Sequence, residues 1–265
     1  MNMQLQGKTA IITGGTGGIG FAIAASLAAE GAEVTITGRT QESIDKALGE
    51  LSASVGSDAK VKGLAADLGT AGGARTLLSA LPATDILVNN LGIYEAKAFG
   101  DITDEDWLHL FEVNVMSGVR ASRGYLPGMI GKNWGRIIFI ASESAIMVPQ
   151  EMIHYGMTKT AQLTISRGLA ETTKGTGVTV NAVLPGPTRS ANIMEFLRSV
   201  SEHPDAGEAA VEAEFFDKYR PTSLLHRLIE SEEIAHLVTY LASPLSSATN
   251  GAALRAEGGL VRSIV

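Results

Sequence analysis

The chain contains no cysteine. That excludes disulfides, thiolate catalysis and Cys-ligated zinc or iron–sulfur sites. Its five histidines form neither HExxH nor another paired-ligand spacing, so no metal site is expected. Positive charge is also short. Lys and Arg number 21 against 28 Asp and Glu, giving 21 − 28 = −7, which disfavours a general role on nucleic acid or an anionic membrane. Met1 to Lys8 has no apolar h-region, so no signal peptide is expected. No apolar run approaches ~18 residues, so no membrane span is expected either. The cytoplasm is the default location. Linkers, charge blocks and internal repeats are missing too.

What remains is a chain of 265 residues, 45% hydrophobic and 18% charged with 30 Gly. That composition is globular and long enough for one large α/β domain with a substantial core. Short β-rich apolar runs occur at Thr9 to Thr13, Glu33 to Thr37, Val61 to Ala65, Ile86 to Asn89, Arg136 to Ala141, Val178 to Leu184 and Ala252 to Ala256. Segments long enough for crossover helices separate the first six. Alternating β and α predicts a parallel sheet with helices on both faces, doubly wound because crossovers are right-handed.

Two stretches carry chemistry. The first, Thr13-Gly14-Gly15-Thr16-Gly17-Gly18-Ile19-Gly20, follows a strand and opens an Ala-rich helical run, Phe21 to Glu30, that Gly31 ends. In that context the glycines fit a dinucleotide-phosphate turn, where pyrophosphate approaches a helix N-terminus. Its register is open. Gly15, Gly17 and Gly20 fit G-x-G-x-x-G, whereas Thr13, Gly14, Gly18 and Gly20 fit T-G-x-x-x-G-x-G. In the second stretch Tyr155 and Lys159 stand four apart, on one face of a helix. Of the five tyrosines only Tyr155 has such a lysine. A neighbouring ammonium favours the phenolate, making the pair a candidate general acid or base. Ser142 lies upstream at the end of the run Ile137 to Ile140, where ligands sit in a parallel sheet. Taken singly, the Tyr/Lys pair also reads as a snorkelling surface pair.

The second register, followed by Asn89-Asn90-Leu91-Gly92, Asn114, Ser142, Tyr155-x-x-x-Lys159 and Pro185-Gly186, resembles the short-chain dehydrogenase/reductase family, in order from about Lys8 to Gly259. The resemblance implies a single Rossmann-type domain over 1–265 with a seven-stranded parallel sheet in the order 3-2-1-4-5-6-7. It also implies NAD(P)-dependent hydride transfer at a carbonyl or alcohol carbon, as in a carbonyl reductase or 3-oxoacyl reductase. Tyr155 would exchange the proton with the substrate oxygen. Lys159 would hold the nicotinamide ribose and lower the pKa of Tyr155. Ser142, rather than its rival Ser144, would hydrogen-bond the substrate oxygen, so no metal is called for. Asn114 would keep a water connecting Lys159 to solvent. The cofactor would lie along Gly14, Thr16, Gly18, Ile19 and Gly20, then Arg39, Asp67 and Leu68, then Asn90 and Gly92. Tyr155 and Lys159 would meet it at the nicotinamide end, together with Pro185, Gly186 and Thr188.

Each residue also has a plainer reading. Asn114 could break a helix, Asp67 could be a turn carboxylate, and Pro185-Gly186-Pro187 could be only a strand-ending turn. The chain departs from the family pattern twice. Leu91 stands where the family usually has Ala. The segment Arg189 to Arg227 is long, and its apolar residues fit either a substrate-covering lid or ordinary packing. If a lid, its aromatics favour a bulky or apolar ketone. Gly38 and Arg39 end the second strand where NAD-specific members need a carboxylate, so NADP(H) is expected over NAD(H). A homotetramer is expected through the helices at Asp106 to Met129 and Ile153 to Thr173, and through the apolar tail Gly258 to Val265. Two other functions stay open: a cofactor-binding regulatory protein without turnover, and dehydration or epimerisation on the same scaffold.

Overall fold

The structure, a computed structural model, describes residues 2–56, 59–190 and 193–264. Seven strands form one sheet: β1 (Thr9–Ile12), β2 (Glu33–Gly38), β3 (Val61–Ala65), β4 (Ile86–Asn89), β5 (Gly135–Ile140), β6 (Val178–Pro185) and β7 (Ala253–Ala256). Every neighbouring pair is parallel, in the expected order 3-2-1-4-5-6-7. The strands end within a residue or two of the sequence reading.

Helices fill the two faces. α1 (Gly18–Ala29), α2 (Gln41–Val55) and α9 (Ser231–Ala242) cover one; α3 (Ala71–Ala80), α5 (Ser117–Gly131) and α6 (Ile153–Thr172) cover the other. Consecutive strand residues point to opposite faces. Ile138 and Ile140 therefore join Ile23, Leu27 and Val238, while Ile137 and Phe139 join Leu77, Tyr125 and Met129. Burial on both faces explains why Ile86 to Val88 of β4 and Ile137 to Ile140 of β5 read as continuous apolar runs rather than alternating ones.

One expected helix is broken. The run predicted from Asp106 to Met129 is α4 (Asp104–Phe111), a π-helical turn at Glu112–Met116, then α5. Asn114 sits inside the turn. Its backbone carbonyl accepts from Gln162 Nε2 at 2.6 Å, and Ser117 Oγ donates to Val113 O at 2.6 Å. Side chains thus take up carbonyls that the wider turn frees.

Between β6 and α9, α7 (Ile193–Val200) and α8 (Glu208–Tyr219) build a small apolar cluster from Ile193, Leu197, Val211, Phe215, Phe216 and Leu228. The C-terminal tail differs from expectation. Leu260 and Val261 are buried within the chain, with both amides donating to Glu257 Oε2. They therefore create no need for a partner. Of the tail's described apolar residues only Ile264 is exposed, and Val265 lies outside the described residues.

Candidate functional site

The glycine turn between β1 and α1 resolves its own register. Gly14 and Gly18 adopt φ +64° and +53°, a left-handed region that side chains resist. A Cβ on Gly20 would stand 2.4 Å from Gly14 O and 2.5 Å from Asn90 Nδ2. Gly17 has open space around it and extended backbone, φ −171°. A Cβ on Gly15 would also strike Ile36 Cγ2 at 2.8 Å, and Gly20 belongs to both registers; what separates them is that Gly14 and Gly18 need their left-handed φ while Gly17 would accept a side chain, which favours T-G-x-x-x-G-x-G. Thr13 Oγ1 accepts the amides of Asn90 and Leu91 at 2.9 and 3.0 Å, and Asn90 Nδ2 donates to Thr13 O and Gly14 O at 3.0 Å. Those bonds tie the turn to the end of β4. α2 and α3 carry threonine caps, from Thr40 and Thr70, but α1 has no side-chain cap. Its first residues line a cavity of about 420 Å³, and their amides have no side-chain cap among the described residues. This is the donor set a pyrophosphate needs.

The other end of that cavity is lined by Ser142, Tyr155 and Lys159. β5 ends at Ile140, and Ser142 opens a single 3₁₀ turn, Glu143–Ala145, by accepting the Ser144 amide at 3.1 Å. It is Ser142, not Ser144, that lies close enough to Tyr155 to favour its ionised form. Lys159 is buried on α6, its Nζ 5.6 Å from the centre of the Tyr155 ring. The expected electrostatics are reversed here. Burial first, and the Glu143 carboxylate second, hold the Tyr155 phenol well above its ordinary value. Lys159 is not among the groups that shift it. Burial instead brings Lys159 itself down to about 8, with Glu143 opposing.

The surroundings of Lys159 also differ from expectation. Nζ donates to Ile140 O at 2.9 Å and to Gln162 Oε1 at 3.4 Å. Gln162 in turn donates to the Asn114 carbonyl, so its amide spans Lys159 and Asn114, the residue expected to keep a water connecting Lys159 to solvent. The Asn114 side chain does something else. It brackets the backbone of Ile93, accepting its amide at 2.8 Å and donating to its carbonyl at 2.9 Å, and also donates to Thr158 Oγ1. Asn114 thereby holds the loop that follows β4 against α6, beside Leu91, which lines the cavity.

Aromatic residues close the far wall. Tyr94 meets Tyr155 edge-on at 6.2 Å, Phe196 meets Tyr94 at 5.6 Å, and Phe215 meets Phe196 at 6.2 Å. The long segment divides: Phe196 and Phe215 face the cavity, while Leu197, Val211 and Phe216 pack. In one corner stands a buried ionic cluster. Glu143 Oε2 accepts from Ser142 Oγ at 2.5 Å, Arg220 Nε donates to Glu143 Oε1 at 3.4 Å, and Arg220 Nη1 donates to Glu151 Oε1 at 3.3 Å. Arg220 also lies over the Phe215 ring at 5.3 Å.

Twelve of the seventeen residues expected at the site line this one cavity: Gly14, Gly18, Ile19, Gly20, Asn90, Gly92, Ser142, Tyr155, Lys159, Pro185, Gly186 and Thr188. Asn114 stands behind them. Thr16, Arg39, Asp67 and Leu68 do not line it. Gly38 pairs with Ala65, and the Ala66 amide donates to Gly38 O at 2.9 Å, so Arg39 and Asp67 flank the carboxyl edge of β2 and β3. Both are exposed. Asp67 Oδ1 accepts the Gly69 amide at 3.1 Å, the turn role weighed above, and Leu68 is buried.

Sequence reasoning assigned no role to Glu143, Gln162 or Arg220. Glu143 had a signal, being a carboxylate next to Ser142 at a strand end. Gln162 lies three after Lys159 and so on its face. Nothing local marks Arg220, which arrives from the segment after α8.

Comparison with known proteins agrees with this geometry. The family model described as short chain dehydrogenase matches residues 8–200. The oxidoreductase YvaG of Bacillus subtilis is 54% identical over 264 residues, covering 100% of both chains. The 3-oxoacyl-[acyl-carrier-protein] reductase FabG of Escherichia coli is 32% identical, over 97% of this chain and 99% of that one. Among solved structures, L-sorbose reductase from Gluconobacter frateurii, complexed with NADPH and L-sorbose, superposes with a TM-score of 0.89 over 100% of both chains at 28% identity. With its matched motifs, its sheet order and these relatives, the chain belongs to the short-chain dehydrogenase/reductase family, oxidoreductases that act on CH–OH and C=O groups.

Proposed function

We propose that this protein interconverts a ketone and a secondary alcohol with NADP(H), Tyr155 giving the proton in reduction and taking it in oxidation. The observation that carries the proposal is the sharing of one cavity by the uncapped start of α1 and the Ser142, Tyr155 and Lys159 side chains. A dinucleotide whose pyrophosphate meets the amides of Gly18, Ile19 and Gly20 would run toward Pro185, Gly186 and Thr188. When bound, its nicotinamide supplies or accepts the hydride.

In reduction the ketone carbon accepts the hydride and the carbonyl π pair moves to oxygen. That oxygen takes the Tyr155 proton, and the product is the alcohol. A phenol held high by burial keeps its proton until negative charge develops beside it. Ser142 has one hydroxyl proton, given to Glu143 in this structure and to the substrate oxygen when one is bound. Lys159, anchored on Ile140 O, would offer its remaining donors to the ribose.

The NADP(H) preference rests on Gly38 and Arg39. A Cβ on Gly38 would meet Thr16 Cγ2 at 2.7 Å, so a carboxylate cannot be added there without displacing Thr16. Arg39 is exposed and forms no ion pair with a described residue, leaving its guanidinium for a 2′-phosphate. Among solved neighbours, the L-sorbose reductase complex contains NADPH. Cytoplasmic location and a homotetramer complete the proposal.

The test follows nicotinamide absorbance with a panel of ketones and alcohols. Turnover by the wild type, and a fall in kcat of ~100-fold or more in Tyr155→Phe with cofactor binding intact, is the expected result. Near-wild-type turnover in a folded Tyr155→Phe would remove Tyr155 from the proton-transfer role.

A further inference from the structure

The substrate end of the cavity is apolar except in one corner. Tyr94, Met152, Ile193, Phe196 and Phe215 make most of the wall, and the corner holds Glu143 and Arg220. Both charged residues are almost fully buried, at 4% and 5% exposure. Buried charges are costly to retain, and packed apolar residues of similar size would often serve stability as well or better. Retaining the pair beside the reacting groups therefore points to recognition rather than to holding the fold.

The charges of the corner have a definite balance. Arg220 is shared between two carboxylates, Glu143 and Glu151, and its Nη1 also donates to the Tyr219 carbonyl at 2.8 Å. The three ionic side chains sum to one negative charge. A substrate carboxylate entering here would meet two carboxylates and an arginine already engaged by both, and the next cation, Lys159, is anchored on Ile140 O. A neutral hydroxyl would meet an acceptor. Glu143 takes one proton from Ser142 and one from Arg220, and two carboxylate oxygens offer about four lone pairs. Glu143 also follows Ser142 directly. Ser142 is the side chain expected against the substrate carbonyl oxygen, and Glu143 Oε2 stands 2.5 Å from its Oγ, so an acceptor lies within reach of a hydroxyl on the carbon next to the carbonyl.

We infer that Glu143, held by Arg220, reads a hydroxyl on the carbon adjacent to the reacting carbonyl, so that the preferred substrate is a neutral α-hydroxy ketone whose remainder fills the aromatic wall. The inference rests on the ketone reductase reading above and narrows it. Reduction of such a ketone yields a vicinal diol, with hydride and proton delivered as already described. Glu143 takes no part in the proton balance. It accepts a hydrogen bond that an analogue without the hydroxyl cannot offer, leaving the buried carboxylate less satisfied. Sites built to bond a hydroxyl discriminate strongly on this ground.

The experiment measures kcat/KM with NADPH for four ketones of one skeleton: α-hydroxyacetophenone, α-methoxyacetophenone, acetophenone and phenylglyoxylate. The methoxy compound keeps the inductive pull of the oxygen and removes the donor. The wild type is expected to favour the hydroxy ketone over the methoxy ketone and acetophenone by ~tenfold or more, and phenylglyoxylate should be the poorest. Glu143→Ala should bring the hydroxy-to-methoxy ratio to within about twofold, with the loss on KM for the hydroxy ketone. Glu143→Gln, which still accepts a hydrogen bond, should keep part of the ratio. Because Glu143→Ala leaves Arg220 with one carboxylate fewer, the double variant Glu143→Ala/Arg220→Ala is measured beside it, with NADPH-induced thermal shift reporting the fold. A wild-type ratio below about twofold overturns the inference whatever the variants do, as does a preference for phenylglyoxylate or a ratio that survives Glu143→Ala. If no ketone is reduced with NADPH, nor with NADH measured beside it, the reductase reading fails; if the plain ketones turn over and the hydroxyl adds nothing, only this inference fails.

Discussion

Tyr155 and Lys159 face opposite consequences of the same burial. Removal from water raises the phenol and lowers the ammonium, because each charged form is penalised. For Lys159 the consequence reaches stability. Its folded value, about 8, lies below the ordinary value of 10.5, so between those pH values the unfolded chain binds more protons. Stability from this group therefore rises with pH across that window and is complete only above it. A Lys159→Met variant should gain on the wild type at neutral pH, and the wild type should recover on the order of 3 kcal/mol between pH about 8 and about 10.5. Melting temperatures of both cofactor-free proteins over that range test it, and a difference independent of pH would contradict it. Arg39 makes a separate prediction. NADPH should exceed NADH in kcat/KM, and Arg39→Ala should narrow the gap by about 1.5–3 kcal/mol, the worth of a hydrogen bond to a charged group. Equal values for the two cofactors in the wild type would count against Arg39.

At the scale of elements, the β1–α1 turn is where sequence chemistry and backbone geometry meet. Its amides are available because the helix begins on Gly17 without a side-chain cap, and because Asn90 fastens the turn from β4. Gly20→Ala drives a methyl into Gly14 O and Asn90 Nδ2. It should cost about 1–3 kcal/mol, the usual penalty of overpacking, and weaken NADPH binding as the turn shifts. Gly17→Ala meets open space at an extended φ, so its melting temperature should stay within a degree or two of wild type, as for surface changes generally. Chemical denaturation of the two variants side by side checks the register. Similar losses in both would favour G-x-G-x-x-G after all. The π-helical turn is the other element set by long-range contact. Asn114 and Gln162 reach between α4–α5, α6 and the loop after β4, and that cross-bracing fixes the floor beneath Lys159.

Across the whole molecule, the apolar surface is uneven. Leu108 on α4 is 68% exposed, Phe111 is partly exposed, and Ile264 is 97% exposed. Burying such side chains is worth roughly 1.5–3 kcal/mol each when complete. The tail contributes less than its sequence suggested, since Leu260 and Val261 are already covered by the chain's own Glu257 and Thr222 contacts. The prediction of a dihedral homotetramer therefore leans on the α4 surface more than on the tail. Light scattering at micromolar concentration should give four times the 27.7 kDa chain mass. A monomeric mass would reject it, and Leu108→Glu should dissociate the assembly along one interface.

Local pattern carried most of the architecture. Seven apolar runs of strand length, separated by helical spacings, determined the sheet because burial on both faces of a parallel sheet leaves a continuous hydrophobic signature. Gly14, Gly18, Ser142, Tyr155 and Lys159 were legible for a related reason: turn geometry and helical spacing are short-range constraints, written within a few residues. The register of the turn was not legible in the loop itself; motifs further along the chain chose it, and the fold supplies the reason, a left-handed φ at Gly18 and open space at Gly17. Nor was the sign of the Tyr155 shift. A lysine four residues on predicted lowering, whereas desolvation and a neighbouring Glu143 decided otherwise, and both depend on how the fold closes around Tyr155. Tertiary structure alone brought Arg220 to Glu143 across 77 positions and placed Gln162 between Lys159 and Asn114. Such contacts leave no periodic trace, because a side chain that reaches across the fold need satisfy only the partner it meets there.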